Sequence, residues 1–154
     1  MIKQEALEIL KRREFVSIGT ADKKGSPNAA PKFLLKIEKD FVYLIDYTIA
    51  RTAANLEQNP KASLSFMDID NLMGYRLDGP VTIIKEGKEF NKIVEELKVK
   101  LIRLSADRVI KASRTGKRSK HYELEIPDKF LTIKIHVQDA VKIGSQGDLW
   151  KEEN

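Results

Sequence analysis

The 154-residue chain contains no cysteine, which removes disulfides, thiolate nucleophiles and sulfur-ligated metals at once and fits a reducing compartment. Histidine is nearly as scarce. His121 and His136 stand fifteen positions apart with no partner motif, so a zinc site would have to recruit carboxylates from elsewhere, and no metal is expected. No serine sits in a nucleophile elbow with a histidine and a carboxylate to support it. Long apolar runs are missing too: nothing approaches the roughly 20 residues that a membrane helix requires. The opening segment carries Lys3, Glu5, Glu8, Lys11, Arg12 and Arg13, unlike a signal peptide or a membrane span. The expected location is cytoplasmic, without membrane contact. No repeat, low-complexity tract or linker interrupts the chain, so a single domain over residues 1–154 is expected, long enough to bury a core unaided.

Charge of one sign is not in large excess either. The 28 basic and 23 acidic side chains leave +5, spread along the chain, which permits polyanion binding without demanding it. The densest basic run, Lys111 to Lys120, has five cations in ten residues with Tyr122 just beyond. It supports a rival reading as a nucleic-acid-binding barrel. Aromatics around it are sparse and the footprint is small, so a solvated loop is preferred and nucleic acid is not an expected partner. Gly116-Lys117 has Lys111 where a phosphate loop needs its first glycine. Asp68-Ile69-Asp70-Asn71 lacks the glycine and closing glutamate of a calcium loop and reads as a turn.

What is present is period. Ile2, Ala6, Ile9 and Leu10 share one face of a leading helix, with Glu8 and Arg12 paired four apart on the other. Phe15 to Ala21 reads as a strand, Asp22-Lys23-Lys24-Gly25 as the turn, and a second strand runs from about Pro27. Pro31 inside it signals an edge, a bulge or a close approach. Glu38-Lys39-Asp40 turns the chain into Phe41 to Asp46; Ala62 to Met67 and Met73 to Lys85 are the next strands, with a bend at Gly79-Pro80. Phe90, Ile93, Val94, Leu97, Leu101 and Leu104 form a helical stripe expected to cover a barrel face or mouth. Ser105 suggests a fresh cap before a shorter helix to about Ala112, and Leu131 to Val137 alternates as a half-buried strand. Many strands and few helices point to an antiparallel barrel.

Between the third strand and Asn59-Pro60 stands Thr48-Ile49-Ala50-Arg51-Thr52-Ala53-Ala54-Asn55-Leu56, a short helix with a cationic, hydroxyl-bearing start. A helix start exposes unpaired N–H groups and the positive end of the dipole, so Thr48, Arg51 and Thr52 can cradle a phosphate. The same residues also read as a plain amphipathic helix with Thr48 as its N-cap.

The ordered set Val16-Ser17-Ile18-Gly19-Thr20, Gly25-Ser26-Pro27, Leu34-Leu35-Lys36, Arg51 to Leu56, Asn59-Pro60 and Gly74 to Gly79 resembles the flavin mononucleotide (FMN)-binding split β-barrel family. That group includes pyridoxamine 5'-phosphate oxidases and small FMN-binding proteins. The resemblance runs from Phe15 to about Leu101. It implies a mainly β fold with flanking helices, an antiparallel split barrel of Greek-key type, homodimeric, with FMN as cofactor and a small-molecule electron donor or acceptor.

Carried over position by position, the resemblance gives Arg51 and Thr52 the phosphate. Pro31, Lys32 and Phe33 go to the ring along strand two, Ile45, Asp46, Tyr47 and Thr48 to the ribityl chain and ring, and Arg76 stands where the oxidase branch has an arginine. The resemblance names no catalytic residue. Met73-Gly74 replaces the oxidase branch's Arg-Gln, and the chain ends in Glu152-Glu153-Asn154 where that branch carries substrate-binding arginines. Pyridoxamine oxidation is therefore not expected. An FMN-dependent oxidoreductase of unknown substrate is, with a non-catalytic electron carrier and a deazaflavin protein as alternatives.

Overall fold

The structure, a computed structural model, describes residues 2–116 and 126–151. His121, Tyr122, Lys117 to Lys120 and the acidic tail Glu152-Glu153 lie outside the described residues. The elements are α1 (Gln4–Lys11), β1 (Phe15–Ala21), β2 (Pro27–Glu38), β3 (Phe41–Asp46), α2 (Arg51–Gln58), β4 (Lys61–Asp68), β5 (Met73–Ile84), α3 (Gly87–Thr115), β6 (Leu131–His136), β7 (Asp139–Ile143) and β8 (Leu149–Lys151). They fall into two compact units, one comprising Met1–Ile84 with Phe130–Asn154 and the other Lys85–Lys129.

In the first unit the antiparallel strands run in the order β4-β1-β2-β3-β6-β5, and β4–β5 pairing closes these six into a barrel, with β7 and β8 continuing outward from β5. This is the expected split barrel. Strand alternation sends Val16, Ile18, Leu34, Val42, Leu44, Leu64, Leu77, Ile133 and Ile135 into one core, all at most 3% exposed. Each such side chain contributes about 1.5–3 kcal/mol by leaving water. Ala6 and Leu10 of α1 join the same core.

The barrel splits at β5. Residues Met73 to Pro80 pair with β4, whereas Val81 to Ile84 pair with β6, so Gly79-Pro80 marks the change of partner and the expected bend is found there. Pro31 has a comparable explanation. β2 pairs with β1 over Pro27 to Phe33 and with β3 from Phe33 onward, so at Pro31 the strand has a neighbour on one side only and the missing N–H is tolerated. The bulge in β2 lies instead between Leu34 and Lys36.

Three expectations need correction. Glu8 pairs with Lys11 at 3.3 Å and accepts from Gln4, not from Arg12. No cap interrupts the long helix at Ser105: α3 is continuous to Thr115 and closes with Gly116 at φ 66, so Lys111 to Thr115 is helical and not loop. Thr132 is fully buried, which makes β6 covered on both faces up to Lys134. β7 and β8 were not foreseen: they are five and three residues long, too short for a periodic signal.

Candidate functional site

α2 packs on β1 and β2, and the interior positions beneath it are polar. β1 continues the inward series Val16, Ile18 with Thr20, and β2 continues Leu34 with Lys32, Ala30 and Asn28 by register with β1. Thr52 and Asn55 face them from α2: Asn28 Nδ2 donates to Thr52 Oγ1 at 3.1 Å and Asn55 Nδ2 to Thr20 Oγ1 at 3.2 Å. Thr52 and Asn55 are 3% and 4% exposed. Sequence reasoning missed Thr20, Asn28 and Asn55. The signal was available as polar residues at steps where the period demands apolar ones.

At the edge of this network lies a sealed ion pair. Lys32 Nζ donates to Asp46 Oδ1 at 2.6 Å and to Thr48 Oγ1 at 3.0 Å, with side chains 5% and 0% exposed for the charged partners. The Thr48 amide at 3.0 Å, the Thr48 hydroxyl at 2.8 Å and the Ile49 amide at 3.3 Å donate to the same carboxylate oxygen. Burial pushes the Asp46 carboxyl upward, but the Lys32 hydrogen bond and charge and the two Thr48 donors outweigh it and hold it below its ordinary value. Asp46 Oδ2 is buried without a hydrogen-bond partner.

This clasp shapes the turn. Ile49 follows in the left-handed region at φ 45, a conformation that costs a β-branched residue about 1–3 kcal/mol and persists only where its surroundings impose it. The helix then starts at Ala50, with no side-chain cap. Thr48 is therefore not the N-cap; its hydroxyl is spent on Asp46. Thr48 and Arg51 are exposed on either side of the uncapped start, and Arg51 makes no ion pair among the described residues.

The remaining candidates divide by burial. Phe33 and Ile45 are register partners, 2% and 0% exposed, and form no open wall. Phe33 contacts Phe15 edge-on at 5.7 Å and Tyr47 at 6.2 Å; burial, then the Glu14 charge, pushes the Tyr47 phenol up to about 12. Pro31 and Arg76 lie on the exposed outer face, in one cross-strand row Pro31, Ser17, Ser65, Arg76. Three strand spacings make that row roughly 14 Å wide. Arg76 Nε donates to Asp78 Oδ2 at 2.8 Å.

The adjacent row, Ala29, Gly19, Ser63 and Asp78, floors an open groove of about 850 Å³. None of the ten residues expected from the resemblance lines it. It abuts two of them through single hydrogen bonds, to Thr52 by way of Asn28 and to Arg76 by way of Asp78. Ser63 Oγ donates to the other oxygen of Asp78 at 2.5 Å.

The model of the family described as pyridoxamine 5'-phosphate oxidase matches residues 2–135. Uncharacterized protein MJ0282 of Methanocaldococcus jannaschii is 37% identical over 87 residues, a stretch covering 54% of this chain and 57% of that protein. The solved structure of HupZ from Group A Streptococcus is 25% identical with a TM-score of 0.64, covering 94% of this chain and 96% of that one. A pyridoxamine 5'-phosphate oxidase-related, FMN binding protein from Nostoc punctiforme shares the fold at 11% identity and a TM-score of 0.58, covering 99% and 97%. The same fold recurs in a heme binding protein from Mycobacterium smegmatis, at 18% identity and a TM-score of 0.62, over 99% of this chain and 59% of that one. It also recurs in an F420 reductase, at 14% identity and a TM-score of 0.57, over 90% and 98%.

Proposed function

Because the chain belongs to the pyridoxamine 5'-phosphate oxidase family, we propose that it is an FMN-binding oxidoreductase whose cofactor phosphate is held at the start of α2. The observation that carries this reading is the junction of β3 and α2: an uncapped helix start between exposed Thr48 and Arg51. Helix N–H groups and a guanidinium are the donor set that a phosphate takes. Lys32, Asp46 and Thr52 support the junction from beneath; sealed as they are, they position the turn and do not touch the ligand. Within the two outer rows, Gly19, Ala29, Ser17, Ser63 and Ser65 carry no bulky side chain, which suits a flat ring. Bound flavin would supply hydride or single-electron transfer through its ring, and the protein would supply orientation and charge. A two-fold dimer that covers the exposed Phe15, Met67, Ile69 and Leu72, each more than half exposed, belongs to the same reading.

FMN should quench on titration far more tightly than riboflavin, since the phosphate is the part that the helix start recognises. Arg51→Ala should weaken FMN about ten- to a hundredfold by removing a charge-assisted bond, and leave riboflavin unchanged. Equal affinity for the two flavins would sink the assignment. A visible spectrum of the purified protein separates FMN from a deazaflavin or heme.

Bound FMN should bleach anaerobically with a nicotinamide donor and stay yellow with pyridoxamine phosphate. Met73-Gly74 stands where the oxidase branch has its Arg-Gln, and Arg76 is already engaged by Asp78, so a phosphorylated substrate lacks its cationic clamp. Sustained formation of hydrogen peroxide and pyridoxal phosphate would restore the oxidase assignment.

A further inference from the structure

The guanidinium of Arg76 is tied at its root and free at its fork. Nε donates to Asp78 Oδ2 at 2.8 Å, and Ser63 Oγ donates to the other oxygen of that carboxylate at 2.5 Å. The Nη groups make no hydrogen bond among the described residues, and the side chain is 51% exposed. At both Arg76 and Asp78, β5 is paired with β4 on one side and β7 on the other, and the Gln138 amide donates to Asp78 O at 2.9 Å. The relay from Ser63 through Asp78 to Arg76 therefore stands on fixed backbone. As a surface ion pair it contributes little to stability. As a presented fork at the rim of the groove, which Ser63 and Asp78 line, it suits a planar pair of oxygens.

We propose that the β5 end of the groove binds the flavin's reaction partner through a single carboxylate on a flat molecule, with Arg76 touching the carboxylate and Asp78 and Ser63 as positioning residues. This rests on the reading that the ring lies over Gly19, Ala29, Ser17, Ser63 and Ser65, because Arg76 and Asp78 then stand one strand spacing, roughly 5 Å, beyond it. Charge selects the class of ligand. Lys61 lines the groove two residues before Ser63 on the same face and makes no ion pair among the described residues. Asp139, the register partner of Asp78 on β7, meets Lys151 at 3.3 Å. Lys61, Arg76 and Lys151 thus face Asp78 and Asp139, an excess of one cation. A monoanion closes that balance, whereas a phosphate dianion adds a charge too many beside two carboxylates.

Benzoate is the probe, with benzamide as its neutral counterpart and phenyl phosphate as its dianionic one. Binding to the full chain, with and without FMN, is read from the amide shifts of Ser63, Asp78 and Gly79. Benzoate should bind about tenfold more tightly than either counterpart, and Arg76→Lys, which keeps the charge and loses the fork, should remove that advantage with the thermal midpoint unchanged. Asp78→Asn separates positioning from attraction. It deletes a negative charge beside the site, so a site that works by charge alone would bind benzoate more tightly, whereas loss of the orienting carboxylate should weaken benzoate about tenfold. Equal or tighter binding in Asp78→Asn, wild-type binding in Arg76→Lys, or equal affinity for benzamide overturns the proposal, even in a protein that holds FMN. A chain that binds no FMN but holds benzoate through Arg76 would instead remove the flavin and leave the carboxylate site standing.

Discussion

Lys32→Met should destabilise the protein by about 3–5 kcal/mol, because it strands a carboxylate that has no exposed surface without its counter-charge. For a domain of this length that corresponds to a fall in thermal midpoint of about 6–20 °C. Asp46→Leu should cost a similar amount by stranding the lysine. The double variant Lys32→Met with Asp46→Leu should recover most of the loss, since a buried ion pair and a well-packed apolar pair of similar volume differ little in net stability. Urea melts of the four proteins decide the matter: single losses that simply add in the double would show that the two side chains do not act as a pair. The stable double variant then isolates the functional role. Without Asp46 the Thr48 and Ile49 amides lose their acceptor and the strained turn its clasp, so on the proposed reading FMN should bind more weakly to a protein that is otherwise intact.

The same pair fixes a pH dependence. The Asp46 carboxyl lies below its ordinary value in the folded chain, so the folded state holds its proton less tightly than the unfolded state does. Its contribution is complete above the unfolded value of about 3.9 and disappears as pH falls through the folded value. Wild-type stability should therefore be level from pH 7 to about 5 and decline steeply in acid, and the double variant should lack that component of the decline.

β1, β2 and β3 could be placed from sequence to the residue or nearly so, because two-residue alternation and Gly, Asn or Asp turn chemistry agree there. The sequence divides α3 at Ser105 because that residue carries the chemistry of a cap, whereas capping depends on a backbone break that Leu101 and Leu104, continuing the stripe, do not permit. At the candidate site, residue type was legible and burial was not. Lys32 and Asp46 enter as ligand contacts only through the resemblance, which assigns them to the ring and the ribityl chain. The alternation Asn28, Ala30, Lys32, Leu34 already turns Lys32 inward, and an inward lysine requires an inward acid. Only the pairing of β2 with β3 supplies it, because the two residues lie 14 positions apart in sequence. The groove is a property of rows across four strands, which no local pattern encodes.

Gly79→Ala should be among the most damaging single methyl additions in the chain. A Cβ built there falls 1.9 Å from the His136 carbonyl oxygen and 2.8 Å from its carbon. Both are backbone atoms, so no rotamer change can relieve the overlap, and one of the two strands must move. Neither can do so freely. Just before His136, β6 is tied to β3 and β5 through Ile135. Immediately beyond it the Gln138 amide donates to Asp78 O at 2.9 Å and the Val137 amide to Asp40 O at 2.8 Å. The glycine is required here by close approach and not by an unusual φ, since this is the corner where β5 leaves β4 for β6. A loss of at least about 3 kcal/mol is expected, with Gly74→Ala as the internal control. There the added carbon meets only Ile143, its Cβ at 3.4 Å in ordinary van der Waals contact, and the change should stay within about 1 kcal/mol. Gly79 and Asp78 also line the groove, so any Gly79→Ala protein that folds should show altered binding at that face along with its lowered midpoint. A Gly79→Ala variant that melts within 2 °C or so of wild type would mean that β5 does not pass under His136, and the split in the barrel would have to lie elsewhere.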